Sequence, residues 1–273
     1  MSASMGMAFE QTLAHALRWL SMRLAGRHPI SEADWEKRMA PFIRRYMPDR
    51  RAAKYPVLLL LHGCAGDFPH LDHWAQLLAR QGYLVYTVDS LTPRNIGLWQ
   101  AFCLVCTGLQ LTGFERRRDI TAVLSVICRD PKADLARLGL IGWSHGAWTI
   151  MEWLHDPAQT QILLEAGATL ASLIFVYPYC GFASVVHQQS WPVTAPVLFV
   201  TAERDRVVPN HATERLVRRL TERSLQAALL SLRGVRHAFD VSYKNTFDAQ
   251  RTADLEHGIL DFLSRHLSAM RTE

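Results

Sequence analysis

From Tyr55 onward the chain alternates short, largely apolar runs with longer segments of helical period, and this alternation constrains its fold more than any other feature. The runs "YPVLLLL" (55–61), "YLVYTVD" (83–89), "RLGLIG" (137–142), "TLASLIFVYPY" (169–179) and "APVLFVTAE" (195–203) lack the polar alternation of a half-solvated strand. Each must therefore be covered on both faces. Between them lie "LDHWAQLLARQG" (71–82, closed by Gly82), "FERRRDITAVLSVICRD" (114–130) and "HATERLVRRLTER" (211–223). A short strand "LQAALLSL" (225–232) and a closing helix "TFDAQRTADLEHGILDFLSRHL" (246–267) complete the series. Buried strands alternating with helices form right-handed βαβ units, so the pattern predicts a mostly parallel, doubly wound sheet with helices on both faces. The stretch from Ser90 to Gly113 shows no such period and reads as a long loop.

The first fifty residues do not share this pattern. Phe9, Leu13, Ala16, Leu17, Leu20 and Leu24 recur at helical spacing, with His15, Arg18 and Arg23 on other faces. A second helix starts in "SEADWEKRMAPFI", with Ser31 as its N-cap and Asp34 three residues on, before Pro41 and Pro48 break up the connection. Residues 1–50 are thus expected to be an N-terminal helical extension, and 51–273 the main domain. The apolar face of the first helix is expected to pack on that domain rather than dock on a membrane surface, with an active-site mouth or a homodimer surface as the places it would cover. Arg18 and Arg23 interrupt the apolar region a signal peptide needs, and no apolar run reaches the ~18 residues of a membrane span. A cytoplasmic protein without stable membrane insertion is expected.

Composition narrows the partners. The net charge of +5 is spread over short clusters such as "IRRYMPDRR" (43–51) and "FERRRD" (114–119), with no long basic tract, which argues against nucleic acid. Five cysteines (Cys64, Cys103, Cys106, Cys128 and Cys180) make no disulfide framework and fit a reducing compartment. Cys103 and Cys106 have C-x-x-C spacing but no second pair for zinc, which leaves a redox role for them as a minor reading.

The chemistry centres on "LIGWSHGAW" (140–148), where Ser144 stands between Gly142 and Gly146. A buried strand precedes it and an apolar helix follows. A sharp strand-to-helix turn would expose the serine hydroxyl at the carboxyl edge of the sheet, where small neighbours relieve crowding. Ligand sites in such sheets lie at those carboxyl ends. Past the strand "PVLFVTA" comes "ERDRVVP" with Asp205; past "AALLSLRGV" comes "RHAFD" with His237. Serine, acid and histidine therefore follow one another in chain order, each in a loop after a strand, as nucleophile, orienting acid and base. Glu203, His211 and His257 are the weaker rivals. The first strand ends in "LLHGCAGDF", so the backbone N–H groups of Cys64 and His145 are the expected oxyanion donors. The Cys64 side chain then serves as a small filler. Trp143, with Trp148, Trp99 and Trp191, and Tyr179 are candidate pocket linings.

"LLLLHGCAG", "VDSLTPR", "GWSHGAW", "VYPYCG", "ERDRVVP" and "RHAF" together resemble the dienelactone hydrolase family of the α/β-hydrolase fold, from about Tyr55 to the C-terminus. The resemblance implies a hydrolase of small carboxylic esters or lactones that needs no metal or organic cofactor. It differs in having Ser144 where that family has a cysteine nucleophile. Of the two arginines that would grip a substrate carboxylate, one position holds Val241; Arg94 is the counterpart of the other. Arg94 is thus expected either to bind substrate or to pair with a loop carboxylate such as Glu115. Acyl transfer, thioester or peptide cleavage by the same triad, and ligand binding without catalysis, are the alternatives.

Overall fold

The computed structural model describes residues 30–66, 68–181, 184–187 and 191–267, so the amphipathic stretch 9–24 lies outside the described residues. Its strands are β1 (Ile43–Tyr46), β2 (Tyr55–Leu61), β3 (Leu84–Val88), β4 (Ala133–Trp143), β5 (Leu170–Val176), β6 (Val197–Ala202) and β7 (Ala227–Leu232). They form one sheet in the order β1-β3-β2-β4-β5-β6-β7. Every pair is parallel except β1 with β3.

The helices are α1 (Glu32–Met39), α2 (Phe68–Arg80), α3 (Gly113–Cys128), α4 (His145–Leu154), α5 (Pro157–Glu165), α6 (Asn210–Glu222) and α7 (Ala249–His266). β2 explains why the apolar runs show no alternation. Val57, Leu59 and Leu61 join the core under α1, α3, α4 and α6, while Leu58 and Leu60 join the core under α2 and α7. All five are fully buried. Cutting one of these leucines to alanine removes ~2–5 kcal/mol in transfer and cavity terms.

Three elements differ from the expectation. The sheet reaches back to Ile43, because "IRRY" pairs antiparallel with β3 and so lies in the sheet rather than in a separate 1–50 extension. The α1 cap is as read, with Ser31 Oγ accepting from the Asp34 N–H at 3.1 Å. The stretch 90–113 is not a plain loop. It holds a 3₁₀ turn at Thr92–Arg94, a helical turn at Leu98–Gln100 and a π-helical turn at Ala101–Val105. Helix α5, capped by Asp156, follows α4 where the sequence pattern marks no separate helix.

Candidate active site

Ser144 sits at the turn between β4 and α4 with φ 51° and ψ −109°, a strained conformation for a residue with a Cβ. The flanking glycines are required by close approach. A Cβ on Gly142 would meet the Ala147 nitrogen at 2.5 Å, and one on Gly146 would meet the Leu61 carbonyl oxygen at 2.4 Å. The chain can therefore fold back sharply onto β2 only if both positions lack side chains. The Ser144 carbonyl then accepts from the Trp148 N–H at 3.1 Å, which starts α4.

The three loops bring the expected side chains together. His237 Nε2 lies 3.0 Å from Ser144 Oγ, and its Nδ1 lies 2.7 Å from Asp205 Oδ2. The consistent tautomer has Nδ1–H donating to the carboxylate and Nε2 accepting from the serine hydroxyl. Asp205 is buried and held in turn by its own loop, since Oδ1 accepts from the N–H groups of Val207 at 2.8 Å and Val208 at 3.0 Å. Glu203 is not in this chain of bonds. Its carboxylate accepts from the Gly234 N–H at 2.7 Å and so ties the acid loop to the histidine loop.

The turn after β2 approaches the serine closely, since a Cβ on Gly63 would lie 3.9 Å from that of Ser144. Among the described residues no acceptor takes the N–H of Cys64 or of His145. The His145 ring points away from the cavity, with Nδ1 3.2 Å from Arg116 Nη1. Burial and the charge of Arg116 push that imidazole down to about 3, so the ring is neutral.

Arg116 is a site residue that the sequence pattern does not single out. The "FERRRD" cluster reads as surface charge, yet Arg116 is fully buried, and burial lowers it to about 9 despite the charge of Asp119. Its Nη1 donates to the His62 carbonyl at 2.8 Å and its Nε to Ser90 Oγ at 2.8 Å. It thereby fixes the backbone just before Gly63 and Cys64. A signal was present: Arg116 heads the i, i+4, i+7, i+11 stripe that continues as Ile120, Val123 and Ile127, all of them buried.

Three expectations are corrected. First, Cys64 is no free filler, for its side chain forms a disulfide with Cys106, with the Cα atoms 5.1 Å apart. Sparse cysteines give no framework signal, and only the fold brings the 98–111 segment over the β2 turn. The Cys103–Cys106 pairing is excluded by the same bond, and Cys103 is a free thiol. Second, Arg94 is committed elsewhere. Its guanidinium forms a bidentate pair with buried Asp119 at 2.8 and 2.9 Å and lies over the Trp35 ring. Glu115 instead closes a capping box with Thr112. Third, Tyr179 packs on Trp148 rather than lining the cavity, which Tyr177 does. Trp143 lines it as expected; Trp191 packs on Phe175 and Phe199, and Trp99 is 75% exposed.

The cavity over Ser144 measures about 340 Å³. Its walls are mainly apolar, with Phe102, Val207, Val241 and Trp143 among them, and Lys244 is its one Lys or Arg among the described residues. No group of three or more His, Cys, Asp or Glu among those residues is arranged to hold a metal ion. No helix among them is long and apolar enough to cross a membrane.

A parallel sheet with a serine on a strained β4–α4 turn, and acid and histidine in later loops, defines an α/β-hydrolase. Residues 43–267 match the dienelactone hydrolase family, and the chain belongs to it. The fold is similar to that of a Klebsiella pneumoniae subsp. pneumoniae MGH 78578 protein named "Putative Dienelactone Hydrolase", with TM-score 0.64 and 17% identity over 82% of this chain and 92% of that one. It is also similar to the Est2 esterase of Thermogutta terrifontis, with TM-score 0.61 and 11% identity over 85% and 91%. A curated relative is "Probable dipeptidyl-aminopeptidase B" of Aspergillus clavatus, 30% identical over 132 residues, which is 46% of this chain. The match takes in 13% of that protein, so the chain corresponds to a small part of it.

Proposed function

We propose that this protein hydrolyses small esters or lactones of uncharged, largely apolar acids through an acyl-enzyme on Ser144. The unbroken chain of hydrogen bonds from Ser144 through His237 to buried Asp205 carries the reading. His237 takes the hydroxyl proton as Ser144 Oγ attacks the ester carbonyl, and Asp205 holds the tautomer and stabilises the imidazolium. The oxyanion falls to the N–H groups of Cys64 and His145, a contribution of ~3–4 kcal/mol per donor. His237 then protonates the leaving alcohol, and water, deprotonated by the same imidazole, releases the acid.

The apolar walls and the locked Arg94 support an uncharged substrate over an acidic one. The Aspergillus relative supports a second reading, in which the same triad cleaves a peptide bond. A panel of p-nitrophenyl esters, lactones and aminoacyl p-nitroanilides separates the two. The ester reading predicts a burst of p-nitrophenol equal to the enzyme present and kcat/KM rising from acetyl to butyryl. Turnover of anilides with inert esters would overturn it.

A further inference from the structure

Asp240 stands three residues beyond His237 with its side chain wholly buried, and the reaction as outlined makes no use of it. Four donors converge on its carboxylate. Oδ2 accepts from His70 Nε2 at 2.8 Å, Trp143 Nε1 at 3.0 Å and Trp74 Nε1 at 3.3 Å, and Oδ1 accepts from the Tyr177 hydroxyl at 2.7 Å. Burial pushes this carboxyl up, but its interactions with His70 and its hydrogen bond from Tyr177 outweigh that and leave it below the usual carboxylate range. The donors come from α2, from the residue before Ser144, and from the turn after β5. One charge thus joins the nucleophile's strand to the histidine's loop.

Tyr177 is the link to the reacting groups. Its φ of 37° is rare for a tyrosine, and it is held there by its N–H on the Val200 carbonyl at 2.8 Å and its hydroxyl on Asp240. The ring it presents to the cavity lies 4.6 Å from the His237 ring, tilted by 57°. A tyrosine face at this distance attracts a cation through its quadrupole. Donation of the phenolic proton to a carboxylate enriches that ring in electrons, and the buried charge of Asp240 adds an attraction through a low-dielectric wall.

We propose that Tyr177 and Asp240 are a positioning unit for His237, which fixes the imidazole plane and favours the imidazolium formed as Ser144 gives up its proton. The proposal rests on the role of His237 as base. Because the imidazolium exists only after proton transfer, the unit acts on the transition state more than on bound substrate. The other groups around the imidazole are Asp205 on Nδ1, Lys244 across the cavity, His70 behind Asp240, and the exposed Glu203, Arg204, Arg206 and Arg236 of the two loops.

The test is kcat, KM and the pH dependence of kcat/KM on p-nitrophenyl butyrate for wild type, Tyr177→Phe and Asp240→Asn, with Ser144→Ala alongside. Tyr177→Phe removes one hydroxyl and keeps the ring. It is expected to lower kcat about 5–10-fold with KM within twofold, the mark of an interaction made in the transition state. Activity requires the unprotonated base, so weaker support for its charged form moves the acidic limb to lower pH, by ~0.3–0.5 unit here. Asp240→Asn is expected to do both to a greater extent. A folded Tyr177→Phe with an unmoved limb, or with its whole loss in KM, overturns the proposal, and this variant decides the matter if Asp240→Asn does not fold. Full turnover by Ser144→Ala marks the other failure, that of the triad itself.

Discussion

The floor of the site and its mouth are built on different physics. The floor consists of Ser144, His237 and Asp205 at the carboxyl ends of paired strands, backed by buried Arg116 and Asp240. The mouth is formed in part by the 98–111 segment, which gives Phe102 and Cys106 to the cavity wall, leaves Leu98, Trp99 and Leu109 exposed off that wall, and has regular structure only in single turns. The disulfide from Cys106 to Cys64 is the covalent bridge between them. Loops anchored on paired strands and braced by buried charges hold the reacting side chains, whereas the mouth offers apolar surface that can vary without disturbing them. On the function proposed above, chemistry belongs to the floor and substrate choice to the mouth.

The largest effects test the floor. Ser144→Ala is expected to lower kcat on the order of 10⁶-fold and His237→Ala by about as much, with the double variant little worse, because the two act as a unit. Asp205→Asn follows at roughly 10⁴-fold in kcat, since an amide can hold the wrong imidazole tautomer. Glu203→Gln is expected to cost under ~10-fold, as its bond is to the Gly234 backbone. Steady-state kinetics on one activated ester rank all four, and a reversed order for Asp205 and Glu203 would reassign the acid.

The bridge gives the intermediate case. Cys106→Ser, or reduction by dithiothreitol, releases Cys64 from the mouth and leaves its N–H positioned only through Arg116 and His62. A fall in kcat of roughly 10–100-fold is expected, below the full loss of an oxyanion donor, with stability reduced by about 2–4 kcal/mol. Unchanged kcat in a reduced, folded enzyme would show that the Arg116 contact suffices. Arg94→Ala should have the smallest effect on chemistry. It strands buried Asp119, so a loss of about 3 kcal/mol in denaturant unfolding is expected, with the kcat/KM ratio of matched acidic and neutral esters within twofold of wild type. A selective loss for the acidic ester would return Arg94 to substrate binding.

The same division governs what the sequence reveals. The five apolar runs and the helices between them are local signals, and the Ser144, Asp205 and His237 loops were legible because each follows a strand whose carboxyl edge the fold class fixes. The partners of those loops were not. Cys64 meets Cys106 across 42 residues of chain through an irregular segment, and no periodicity foretells that contact. Arg94 shows a similar limit. Pairing with a carboxylate is one of its two expected roles, but the carboxylate is buried Asp119 of α3 rather than Glu115, and only packing reveals it. Tyr177, which lines the cavity, is not singled out by the sequence, because strand alternation says nothing about a backbone that turns to φ 37° at the strand's end.

The most direct measurement of the central claim is the site of covalent capture by a fluorophosphonate, read by intact mass and peptide mapping on the folded, oxidised protein. The account predicts one adduct per chain, carried by Ser144, formed at a rate that Asp205→Asn and His237→Ala sharply reduce. No adduct, or an adduct on another residue that survives Ser144→Ala, would contradict it.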